Sequence, residues 1–120
     1  MTDEEFISVV QEAIKKLPKE FRDQMDNVAI TVTDWPSEED LGNEPNASSL
    51  SLFGLYHGVP RTDRTDFPAL PDKITIYKEP ILHAAADEED AKKIITDTVL
   101  HEIGHHFGLS DAELERIQGH

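Results

Sequence analysis

Residues 101–111 read HEIGHHFGLSD, that is H-E-x-x-H-x-x-G-x-x-D. On a helix, residues four apart share a face, so His101 and His105 can offer two imidazole nitrogens to one metal ion. Glu102 lies one step round, within reach of a water at that ion. Gly108 can take a left-handed conformation at no steric cost and end the helix. The turned chain can then bring Asp111 back as a third ligand. Two histidines and one carboxylate leave one tetrahedral position open, the arrangement of a catalytic rather than a structural zinc site.

The spacing before the motif supports a helix. Ile94, Ile95, Thr98 and Val99 keep helical periodicity into it. Asp87 is placed to cap this helix, with Glu88, Glu89 and Asp90 in the first turn, where the helix dipole favours anions. The spacing therefore predicts one long helix from Asp87 to about Phe107, followed by a short one over Asp111 to Ile117.

Working back toward the N-terminus, Thr2 and Glu5 form a capping-box pattern. Phe6, Val9, Val10, Ala13, Ile14 and Leu17 follow at helical spacing, so residues 3–17 read as an amphipathic helix. Pro18 ends it or opens a short helical turn through about Met25. Asn27 to Trp35 is rich in β-branched residues. Val28, Ile30 and Val32 alternate with Thr31 and Thr33, which predicts a strand. Trp35 before Pro36 reads most simply as an aromatic capping the core. Residues 36–49 read as an acidic loop without chemistry. Leu50 to Tyr56 reads as a short strand interrupted by Gly54, and Gly58 and Pro60 then turn the chain. A polar, proline-bearing loop covers Arg61 to Pro71. Lys73 to Lys78 alternates as a strand, and Pro80 suggests that it lies at a sheet edge, where it could pair with an extended peptide. The order of elements predicts an α+β fold: a small sheet of about three strands packed against a long metal-binding helix.

Composition narrows the function. A chain of 120 residues with no repeat or linker is expected to form a single domain over residues 1–120. A net charge of −14 repels phosphate backbones and anionic lipid, so neither nucleic acid nor membrane is an expected partner. The absence of cysteine excludes a disulfide framework and a thiolate metal site. The start, MTDEEF, lacks the apolar run of a secretory signal, and no segment approaches membrane-spanning length. A cytoplasmic monomer is the expectation.

HEIGHHFGLSD resembles the motif of the zincin metallopeptidases, and its Gly-x-x-Asp ending is similar to the metzincin pattern with the third His replaced by Asp. With SLFGLYHGVPRT (51–62) and LPDKITIYKEPIL (70–82), the chain resembles the short bacterial zincin-like metallopeptidase family across most of its length. The resemblance implies a minimal zincin fold, one zinc ion per chain and a proteolytic function. Carried over by position, His101, His105 and Asp111 would be the ligands and Glu102 the general base. It also implies that a strand beside the metal-bearing helix holds the substrate. The chain departs from metzincins downstream. Residues 112–120 contain neither methionine nor tyrosine, so a methionine turn and a downstream tyrosine are expected to be absent.

The tetrahedral intermediate of peptide hydrolysis needs a further donor. Tyr56, His57, Tyr77 and His83 are the upstream candidates; as core rings with wet hydroxyls, the tyrosines have a plainer role open to them. His106 points about 100° away from His105 and reads as a supporting or surface residue rather than a ligand. Glu113 and Glu115 rival Asp111 as the third ligand. The expected function is zinc-dependent hydrolysis of peptide bonds in a short or unfolded protein substrate. The alternative is a zincin scaffold that binds zinc and a peptide or regulatory partner with little or no turnover.

Overall fold

The computed structural model describes residues 1–23, 25, 28–42, 47–57, 72–109, 112, 113 and 116. Helix α1 (Asp3–Lys15) starts at the expected capping box: Thr2 accepts from the Glu5 backbone, and the Glu5 side chain accepts from the Thr2 backbone. That bond holds the exposed Glu5 carboxyl below its usual range. Phe6, Val10 and Ala13 form its buried stripe. A short helix α2 (Lys19–Arg22) follows Pro18, as the sequence suggests.

Strand β1 (Val28–Thr33) alternates half-buried and exposed residues in the predicted phase. Strands β2 (Gly54–His57) and β3 (Asp72–Tyr77) complete a mixed sheet in the order β1-β3-β2. β1 runs parallel to β3, with Val28 opposite Asp72 and Thr33 opposite Tyr77. β2 runs antiparallel to β3, with Gly54 opposite Ile76 and His57 opposite Lys73.

This order overturns one expectation. β3, the strand read as an edge, is the central one. Pro80 gave the wrong signal because it sits in the first turn of helix α4 (Lys78–Ala84), where a missing N–H costs nothing. Being central, β3 is buried on both faces. Ile74 and Ile76 face helix α5 (Glu88–His106) and pack with Ile95, Val99 and Ile103. On the other face Tyr77 packs with Leu52, Leu55 and Leu41. The edge strand beside α5 is β2.

Two further differences concern local structure. Part of the supposed acidic loop is helix α3 (Glu38–Gly42), capped reciprocally by Ser37 and Asp40. Trp35 does not cap the core. It is 45% exposed and lies against the His83 ring, centroids 5.4 Å apart. The expected turn at Gly58 and Pro60, the loop over Arg61 to Pro71, and most of the expected helix from Asp111 to Ile117 lie outside the described residues. Among the described residues, no helix is long and apolar enough to cross a membrane.

Candidate metal centre

α5 begins as predicted, with the Asp87 side chain accepting from the Asp90 backbone. It ends at Phe107. The Gly108 N–H then bonds to the His105 carbonyl (3.1 Å), and the Leu109 N–H to the Gly104 carbonyl (2.9 Å). Gly108 has φ of 68°, so this pair of bonds forms a Schellman cap that only a residue tolerant of the left-handed region closes without strain. The sequence expectation for Gly108 is met, and the helix stops just after His106.

The last turns of α5 divide four polar side chains between two faces. His101 and His105 are exposed, whereas Glu102 and His106 are buried. The imidazole rings of His101 and His105 stand 4.7 Å apart, centroid to centroid. One potential ligand atom from each of His101, Glu102 and His105 lies within 4.8 Å of the other two. Glu102 Oε1 is 3.3 Å from His105 Nδ1. Two solvent-open imidazoles one helical turn apart, with a carboxylate beneath them, are a donor set that suits zinc. The structure therefore brings together three of the four expected site residues. The fourth, Asp111, lies outside the described residues, as does its rival Glu115.

Gly54 lets β2 approach this face. A Cβ there would sit 2.8 Å from Thr98 Cγ2 and 3.1 Å from Glu102 Cγ, so any larger residue would push the strand off the helix or displace Glu102. Where β2 meets α5 lies a groove of about 380 Å³. Phe53, Gly54, Thr98, His101 and Glu102 are among its walls. A larger cavity, about 550 Å³, lies between α1 and α5 and shares no lining residue with the His101 group.

The candidate upstream donors are already engaged. The Tyr56 hydroxyl donates to Asp72 Oδ2 at 2.6 Å, and the Tyr77 hydroxyl donates to Asp40 Oδ2 at 2.7 Å. Burial, together with the bond to Asp40, raises the Tyr77 hydroxyl pKa, so it stays protonated. Burial pushes the Asp40 carboxyl upward, but the bonds from Tyr77 and Ser37 outweigh it and hold the carboxyl below its usual range. His57 lies 3.9 Å from Asp40. His83 is on α4, bonded to the Glu79 carbonyl at 2.8 Å.

Sequence reading missed Asp72. This carboxylate, 2% exposed at the start of β3, also takes a hydrogen bond from His106 Nδ1, 2.5 Å away. His106 is thus a fully buried supporting residue and not a surface one. No spacing rule joins positions 34 residues apart, so the pairing is visible only in the fold. Asp40 was missed as well, although Ser37-x-x-Asp40 carries a local capping signature.

Comparison with known proteins agrees with this geometry. The model of the zincin-like metallopeptidase family matches residues 25–120. Curated proteins give no significant match. Among solved structures, a conserved hypothetical protein from T. thermophilus is similar, with a TM-score of 0.61 and 21% identity. The match covers 89% of this chain and 94% of that one, and at such identity it speaks for the fold alone. The family match spans most of the chain and includes the whole His101–Asp111 motif: the chain belongs to the zincin-like metallopeptidase family.

Proposed function

We propose that the chain is a single-domain, zinc-dependent metallopeptidase. His101 and His105 hold the ion, one per chain, with Asp111 as third ligand by its place in the motif. When bound, zinc supplies Lewis acidity and lets a water ionise near neutral pH, at a pKa of about 7. Glu102 is the general base. Its carboxylate takes a proton from the attacking water and delivers it to the departing amine. Glu102 packs against Gly54, and its Oε1 lies toward His105. The observation that carries this reading is the burial of Glu102 directly beneath two solvent-open imidazoles. A purely structural site has no use for a carboxylate in that place.

The substrate is an extended peptide or an unfolded protein segment. β2 is an edge strand along the groove and can add such a segment as a further strand, with its side chains against Phe53 and Thr98. The acidic surface disfavours nucleic acid and anionic membranes as partners. A cytoplasmic monomer fits this reading.

A second reading rests on the two tyrosines. Both hydroxyls donate to aspartates, so neither stands ready to stabilise an oxyanion. That favours a scaffold that binds zinc and a peptide with little turnover. Glu102→Gln separates the two. For a peptidase, the variant keeps its zinc and loses at least about 100-fold in hydrolysis of a fluorogenic peptide library. For a binding module, the wild type shows no hydrolysis to lose, and the variant retains peptide binding. His101→Ala is expected to abolish tight zinc binding in either case, and unchanged zinc content in that variant would refute the ligand assignment.

A further inference from the structure

His105 stands in the last turn of α5, one residue before the helix ends. Helix ends fray, because their last carbonyls lack partners within the helix. A donor pair split between the penultimate and last turns needs that last turn to be held. The Schellman cap at Gly108 closes the backbone but does not fix how the turn is rotated against the sheet.

Ile103 and Phe107 hold the turn by core packing, and a polar tie fixes it further from below. His106, fully buried, is the residue after His105 and turns inward as His105 turns outward. Its Nδ1–H donates to Asp72 Oδ2, and the Tyr56 hydroxyl donates to the same oxygen. Asp72 belongs to the central strand β3 and Tyr56 to the edge strand β2, so one carboxylate ties three elements together. The Tyr56 ring, anchored by its hydroxyl, meets both imidazoles edge-on, with centroids 6.3 Å from His105 and 6.2 Å from His106. It forms a wall against which the His105 ring rests. Hydrogen bonds to a charged, buried acceptor are short and strong, which makes such a tie rigid.

We infer that Asp72 is a positioning residue for His105: acting through His106 and Tyr56, its buried carboxylate holds the last turn of α5 so that His105 faces His101. The role of the tie in metal binding rests on the proposed zinc site; the positioning itself can be observed without metal. Supporting residues behind metal-ligating histidines typically change metal affinity by about 10–100-fold.

The test compares wild type, Asp72→Asn and Tyr56→Phe as full-length, metal-free proteins. The first readout is the NMR cross-relaxation between the ring protons of His101 and His105. The second is zinc affinity, measured by competition with a chromophoric chelator well below the melting temperature. Asp72→Asn is expected to keep its helical circular dichroism, lose the cross-peaks between the two rings, and bind zinc at least about 10-fold more weakly. Tyr56→Phe, which keeps the ring but not its anchor, is expected to weaken the cross-peaks and lower zinc affinity about 3-fold, a lost hydrogen bond acting at one remove. If Asp72→Asn does not fold, Tyr56→Phe decides by the same two readouts. Asp72 is overturned as a positioning residue if the variants melt at lower temperature yet keep both the cross-peaks and the wild-type affinity, since that is what a merely structural tie would do. Should wild type bind no zinc while the cross-peaks respond as expected, the metal reading fails and the positioning stands.

Discussion

The central strand carries a tyrosine–aspartate pair on each face, and the two differ in depth. On the α5 face, Asp72 lies buried and binds Tyr56 and His106 at 2.6 and 2.5 Å. On the other face, Asp40 of α3 binds Tyr77 at 2.7 Å, while His57 stays 3.9 Å away and the carboxylate keeps contact with solvent. The chemistry is the same on both faces, but the dielectric differs. A buried carboxylate with two donors fixes its partners tightly, and losing it strands them in a medium where unmet polar groups are costly. A half-open one can exchange its donor for water. The buried pair lies beneath the candidate metal centre, where position matters most. The half-open pair fastens one short helix.

The largest expected effect breaks the buried pair. Asp72→Ala removes the acceptor shared by His106 and Tyr56 and should destabilise the fold by about 3 kcal/mol, measured by urea unfolding of the metal-free protein. Asp40→Ala should cost only about 1 kcal/mol by the same measurement, because water can replace the lost acceptor. Equal losses would show that depth does not distinguish the two faces.

Acid sharpens the contrast further. The folded Asp40 pKa lies below its ordinary value of 3.8, so its contribution is complete above that value and is lost as the pH falls through the lower, folded one. Trp35, the one tryptophan, lies two residues before the Ser37 cap of α3 and reports on it. Read in a His83→Gln background, which removes the imidazole lying against its ring, its fluorescence is expected to change as the pH falls below about 4. In Tyr77→Phe the change should move toward higher pH, since the bond that lowers the carboxyl pKa is gone.

The same contrast separates what the sequence discloses from what it hides. The helix bearing His101 and His105 was legible because its information is local: a cap at Asp87, apolar residues at helical spacing, and glycine at Gly108. β1 was legible from the alternation of Val28, Ile30 and Val32. The status of β3 was not, because being central depends on which strands flank it, and Pro80 signalled a break that belongs to the next helix. Helix α3 hid in an acidic, proline-flanked stretch where charge outweighed its capping signature. The ties made by Asp72 and Asp40 join residues 34 and 37 positions apart, and only the packed sheet brings them together. Local periodicity thus found the helix that carries the candidate donors, and tertiary structure was needed to find the polar ties at its end.

The central claim is that His101 and His105 bind one ion above Glu102. Its most direct test is the zinc content of untagged protein, stripped of metal and reconstituted, for wild type and His105→Ala in parallel. About one zinc per wild-type chain and essentially none in the variant are expected. A wild type that takes up no zinc, or a variant that keeps it, would contradict the account.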